Sequence, residues 1–277
     1  MTCPPTEQPR LVVPVRFNGP PRSGNGGWAA GAVAQRLSPG TGGPAARVRL
    51  AAPPPLDRAM AVEQRDGELV VRDGETVVAR AHLVPDDGWL ADEPPAAVGW
   101  QAAQDAAAGY RGRVDHPFPT CFTCGTARPD GDGLALHPGP LPDLPDVTAS
   151  AWTPAADLAN EGTDCVSPEV AWAALDCPGG WSVDLAGRPM VLGTMTARVA
   201  ELPRIGARHV VMGRVLRQEG RKAWTETALY ALDGDPNGGS NGGSDSGAPR
   251  LIARAAAVWI AVDPAGVRPT TPAGTAE

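Results

Sequence analysis

Two stretches of the chain alternate apolar and polar positions with the period of an antiparallel sheet, and a short apolar segment of helical character precedes each. In the first, Ala46-Arg47-Val48 opens a strand, Glu63-Gln-Arg-Asp-Gly67 supplies a hairpin turn, and Val77-Val-Ala-Arg-Ala81 follows Asp73-Gly74. The second repeats that order with Ala197-Arg198-Val199, Leu216-Arg-Gln-Glu-Gly220, and Leu251-Ile-Ala-Arg-Ala255 after Asp233-Gly234. The helical segments are GGWAAGAVAQRL, from Gly26 to Leu37, and SPEVAWAAL, from Ser167 to Leu175. The latter has serine at the N-cap, Pro168 at the first helical position and Glu169 in the first turn. Val33 and Leu37, like Val170 and Ala174, stand four apart, as a helix buried against a sheet requires. Each half therefore predicts a short strand, one helix, and three or four long antiparallel strands: one unit written twice.

The repeats are expected over 11–84 and 117–263, joined by a linker over 85–116 whose Ala-rich middle allows a short helix at best. GDPNGGSNGGSDSGAP, from Gly234 to Pro249, predicts a flexible insertion inside a hairpin, and 264–277 a disordered tail. With 34 glycines and 31 prolines, loops must be abundant, yet 42% hydrophobic residues still provide a core. A net charge of −7 argues against nucleic acid as a partner. No apolar run approaches the ~20 residues of a membrane helix, and the start lacks the pattern of a secretion signal. Five cysteines are too few and odd in number for a disulfide framework, so reduced thiols in the cytoplasm are expected. A homo-oligomer is compatible with all of this.

Cys121-Phe-Thr-Cys124-Gly125, with Arg128-Pro129 and Gly133-Leu134 behind it, resembles the opening of hotdog-fold thioesterases of the phenylacetate-degradation type and their double-hotdog relatives. The closing pattern of each half, Asp-Gly, Ala-Arg-Ala and then an apolar strand (ending in the second half at Trp259), is similar to theirs too. The resemblance covers 121–262 and, more weakly, 14–84. It implies an α+β double hotdog: two curled antiparallel sheets, each wrapped around one central helix, in place of the homodimer of single-hotdog enzymes. The implied activity is hydrolysis of acyl-CoA thioesters, with coenzyme A part of the substrate and no other cofactor. A non-catalytic acyl- or acyl-CoA-binding or structural double hotdog is the alternative.

By this resemblance Asn25-Gly26-Gly27 is the (H/N)GG turn at the start of the central helix, and Asp176, nine positions after Ser167, is the catalytic acid. Glycines let a thioester carbonyl approach, and free N–H groups of Gly26, Gly27 and Trp28 could hold an oxyanion while Asn25 orients the thioester. The matching places in the other copies are deficient: Ala34 replaces the acid, and Pro168 has no N–H. One live cleft assembled from both halves is expected, with Asp176 as general base or nucleophile. Glu169 is the rival acid and a substrate-side candidate, although a first-turn glutamate is explained by capping; Asp164 is a weaker one. Trp28, Trp172 and Trp181 are candidate walls of an acyl tunnel, with core packing the default. Cys121 and Cys124 could place two thiolates on one zinc with His116 and Cys177 as partners; the simpler reading is a turn of buried thiols and no metal. His82, His116, His137 and His209 form no local triad, which disfavours a dehydratase. Arg204, Arg208, Arg214, Arg217, Arg221 and Lys222 could meet coenzyme A phosphates or simply be solvated.

Overall fold

The computed structural model describes residues 9–37, 40–85, 93–232 and 248–263. Cys3, the insertion read over 234–249 except its last two residues, and the tail over 264–277 lie outside them.

The first half runs β1 (Arg10–Leu11), α1 (Gly26–Gln35), β2 (Ala45–Leu50), β3 (Met60–Arg65), β4 (Glu68–Asp73) and β5 (Thr76–Val84). After α2 (Trp100–Ala106) and β6 (Gly139–Leu141) the second half repeats it. Its elements are β7 (Leu144–Trp152), α3 (Pro168–Ala174), α4 (Cys177–Trp181), β8 (Met190–Val199), β9 (His209–Glu219), β10 (Lys222–Ala231) and β11 (Arg250–Ala261). The spatial order is β1-β3-β4-β5-β2-β8-β11-β10-β9-β7-β6. Read outward from the middle, both halves follow one path, with the helix inserted after the outer strand and before the central one. The repeated motifs are thus a repeated topology. The turn read at Asp66-Gly67 has both residues at positive φ, 53° and 80°, the pair a tight hairpin needs.

The expectation of two separate curled sheets is corrected here. Among the described residues there is one eleven-stranded antiparallel sheet, because β2 of one half pairs with β8 of the other. The partners are Ala46 with Ala197, Arg47 with Thr196 and Val48 with Met195, so the two Ala-Arg-Val sequences meet at the seam through their alanines and run apart from there. Separate sheets would each leave a long strand with unpaired N–H and C=O groups; joining them removes both edges.

Period-two alternation assigns the faces. Val211 and Leu229 belong to the large core under α1, α3 and α4, while Val210, Met212, Ala228 and Tyr230 belong to a second cluster with Ala103 and Ala106 of α2. The segment read as a linker therefore carries a helix that covers the opposite face of β7 and β9. Val33, Val170 and Ala174 are buried as their spacing requires. Leu37 is half-buried against the same core. None of these helices is long and apolar enough to cross a membrane.

One charge is sunk in the sheet. The Glu226 side chain, 2% exposed, accepts from Arg214 Nη2 at 2.7 Å and pairs also with Arg254. Removing it takes the buried carboxylate from two partly buried guanidinium groups, so Glu226→Ala is expected to cost about 2 kcal/mol in denaturant unfolding, below the loss for a fully buried pair because the arginines keep some solvent and other contacts.

Candidate active site

Helices α1 and α3 touch at glycine. A Cβ on Gly27 would stand 2.5 Å from Asp176 Cβ and 2.7 Å from the Trp172 carbonyl oxygen, and one on Gly31 would stand 2.8 Å from Trp172 Cβ. Glycine costs about 1 kcal/mol against alanine inside a helix, and here it allows a closeness no side chain permits. Asn25 caps α1, its Oδ1 accepting the Trp28 N–H at 2.8 Å. The chain leaves α3 at Asp176 and starts α4 at once, with Pro178 in its first turn. Asp176 thus sits at a helix junction, where the sequence read a helix end stopped by Pro and Gly.

That junction brings residues 150 apart in sequence into one hydrogen-bonded group. Asp176 Oδ2 accepts the Gly27 N–H at 2.9 Å and an Asn25 Nδ2–H at 3.2 Å. Asp176 Oδ1 is buried and has no hydrogen-bond partner among the described residues. Burial pushes the carboxyl up to about 7, against the opposing pull of the Gly27 N–H and the Asn25 amide.

A cavity of about 440 Å³ opens on this group. Asn25, Gly26 and Asp176 line it, and its apolar wall includes Phe118, Trp181, Met190, Leu192 and Trp259. Trp181 is the one tryptophan of the expected tunnel that borders it; Trp28 and Trp172 do not, nor does Glu169. Trp28 stacks instead on Phe17, centroids 4.2 Å apart, and Trp172 is buried where α1 meets α3. Trp259 was missed because it closes a strand, where an aromatic reads as core. With Glu169 off the cavity, Glu169→Gln should leave activity unchanged and shift stability by about 1 kcal/mol or less, read as matched initial rates and melting curves.

The expected oxyanion donors are reduced in number. Gly27 N–H is engaged by Asp176 and Trp28 N–H by Asn25, which leaves the N–H of Gly26, a residue that lines the cavity, without a partner among the described residues. The Asn25 side chain serves the acid and the cap, and its Nδ2 also stands 3.6 Å from Cys121 Sγ. The mirrored position offers no counterpart, since α1 contains no acidic residue. Asp164 is exposed and pairs with Arg204.

Behind Asp176 lie three buried thiols. Cys121 Sγ is 3.8 Å from Cys177 Sγ, and the sulfurs of Cys121, Cys124 and Cys177 all fall within 4.8 Å of one another. The turn that presents the first two closes through Gly125 N–H to the Cys121 carbonyl at 2.8 Å, and a Cβ on Gly125 would strike that backbone at 2.6 Å. Hydrogen bonds from Cys124 and Cys177 hold the Cys121 thiol well below its usual range, while burial pushes the other two up. The arginines considered for coenzyme A do not line the cavity. Arg214 serves Glu226, Arg208 lies over Trp100, Arg217 over Trp224, and Arg221 holds the Ala261 carbonyl.

No family profile matches the sequence, and neither does any curated protein. Solved structures do resemble the fold. An inferred thioesterase from Novosphingobium aromaticivorans shares 12% identity at a TM-score of 0.56, over 92% of this chain and 95% of that one. A tesB protein from Mycobacterium avium subspecies paratuberculosis shares 8% at 0.50, over 85% of each chain. A protein of unknown function with a hot dog fold from Alicyclobacillus acidocaldarius shares 11% at 0.49, over 92% of each. With the duplicated topology of one helix laid on antiparallel strands in each half, the first two of these likenesses establish a hot dog fold that spans most of the chain.

Proposed function

We propose that the protein hydrolyses acyl-CoA thioesters in the cavity beside the starts of α1 and α4. The observation that carries this reading is the half-satisfied carboxylate. Asp176 Oδ2 is fixed by two donors, while Oδ1 is desolvated and unpartnered beside a cavity with apolar walls. A fixed acid with one idle oxygen suits proton abstraction from water, or direct attack on a carbonyl carbon. Gly26 N–H, at the first position of α1, supplies a backbone donor and the positive end of a helix for the charge that develops on the carbonyl oxygen. The apolar wall fits an acyl chain and excludes bulk water from the charged step. The protein of the same fold that bears a thioesterase name supports the choice of a thioester over other esters.

In the base mechanism, Asp176 takes a proton from water, the hydroxide adds to the thioester carbonyl, and the tetrahedral intermediate expels the thiolate. The proton on Asp176 then passes to the leaving sulfur. A panel of acyl-CoAs of increasing chain length, read by a thiol reagent as free coenzyme A appears, tests the reading. Continuous release by the full-length protein is expected for at least one chain class. Saturable binding without release would favour the acyl-binding alternative instead.

A further inference from the structure

We propose that Cys121, Cys124 and Cys177 together hold one zinc ion as thiolates. Zinc–thiolate bonds of about 2.3 Å in tetrahedral array place neighbouring sulfurs about 3.8 Å apart. The Cys121–Cys177 separation is 3.8 Å, and the third sulfur lies within 4.8 Å of both, at most about 1 Å beyond the same spacing. The three residues come from two elements fixed independently, the Gly125-closed turn and the start of α4, so the cluster is not a by-product of a single local loop.

A second observation concerns the atoms around the sulfurs. Trp181 Nε1–H points at Cys124 Sγ at 3.4 Å, and Asn25 Nδ2 at Cys121 Sγ at 3.6 Å. His116 Nδ1 accepts the Phe118 N–H at 2.9 Å, so its proton belongs on Nε2, which donates to the Cys124 carbonyl at 3.1 Å and stands 3.4 Å from Cys124 Sγ. Two N–H donors, from Trp181 and Asn25, thus reach two buried sulfurs. A neutral thiol is a weak acceptor that needs neither of them, whereas a metal-bound thiolate carries charge that such donors offset. Soft thiolate ligands in a buried, mononuclear arrangement select zinc over hard cations. All three cysteines border the cavity, which leaves the fourth position open to a ligand from that side. The inference does not depend on thioester hydrolysis.

The test is elemental analysis of the full-length protein, purified without chelator from zinc-supplemented medium. One zinc per chain is expected, retained in Cys165→Ser, whose thiol lies outside the cluster, and reduced at least tenfold in Cys124→Ser. Should Cys124→Ser fail to fold, cobalt replaces zinc in the unaltered chain, and thiolate-to-cobalt charge-transfer absorption is expected. Only trace zinc with no such absorption, stoichiometric iron or copper instead, or a Cys121–Cys177 disulfide in the purified protein would overturn the assignment.

Discussion

Asp176→Asn should lower thioester hydrolysis about a thousandfold while leaving the fold as stable as before or slightly more stable. Asparagine is nearly isosteric with aspartate. Its carbonyl oxygen can take the place of Oδ2 and keep both the Gly27 N–H and the Asn25 donor. Its amide then occupies the position of Oδ1, which has no partner to lose. The substitution also removes the cost of burying a charge with only one oxygen compensated. Chemistry and stability therefore separate: the amide can neither accept a proton from water nor attack a carbonyl. Initial rates beside chemical denaturation of the same preparations read both quantities. A variant that lost activity by unfolding would show a lower denaturation midpoint, contrary to this expectation.

Gly27→Ala is expected to fail in both respects, losing about 3 kcal/mol of stability and nearly all activity. The added methyl would meet Asp176 Cβ at 2.5 Å, the Trp172 carbonyl oxygen at 2.7 Å and Ala173 Cα at 3.0 Å. Two of these atoms are backbone, so the clash cannot be relieved by a rotamer change; α1 and α3 must part. The Gly27 N–H would leave Asp176 as they do, and an acid freed of its anchor loses its alignment. Gly26→Ala is a useful contrast. The nearest atom to its methyl is Leu192 Cβ, at 2.6 Å, so β8 must give there, but the α1–α3 contact is spared and a smaller destabilisation is expected. Circular dichroism melts and hydrolysis rates of the two variants should rank them in that order.

Duplication was legible because it resides in alternation and turn chemistry, which are local. Asp66-Gly67 and the Ala-Arg-Val strand starts carry it without reference to the rest of the chain. The seam between β2 and β8 was not legible, since strand alternation specifies which face a residue takes and not which strand lies alongside. Asp176 and the Asn25–Gly27 turn could be named from spacing and resemblance, and the structure places them within hydrogen-bonding distance of each other. What the sequence hid was who occupies whom. Gly27 N–H serves the acid instead of awaiting an oxyanion, because the glycine contact brings α3 close enough for Asp176 to reach it. The tryptophans went astray for a related reason: Trp28 and Trp172 sit on the helices, but on the sides facing Phe17 and α1, whereas the cavity opens toward Trp181 and Trp259. CxxC by itself specified two thiols; only the α3–α4 junction delivers the third.

The most direct test of the proposed cleft is a crystal structure of Asp176→Asn soaked with an acyl-CoA that the unaltered protein turns over, the substitution keeping the thioester intact. The thioester carbonyl oxygen should lie within hydrogen-bonding distance of Gly26 N–H, about 3 Å, with its carbon facing residue 176 and one ligand per chain. Density for the thioester at the mirrored start of α3, in both clefts equally, or away from Gly26 altogether would contradict the account.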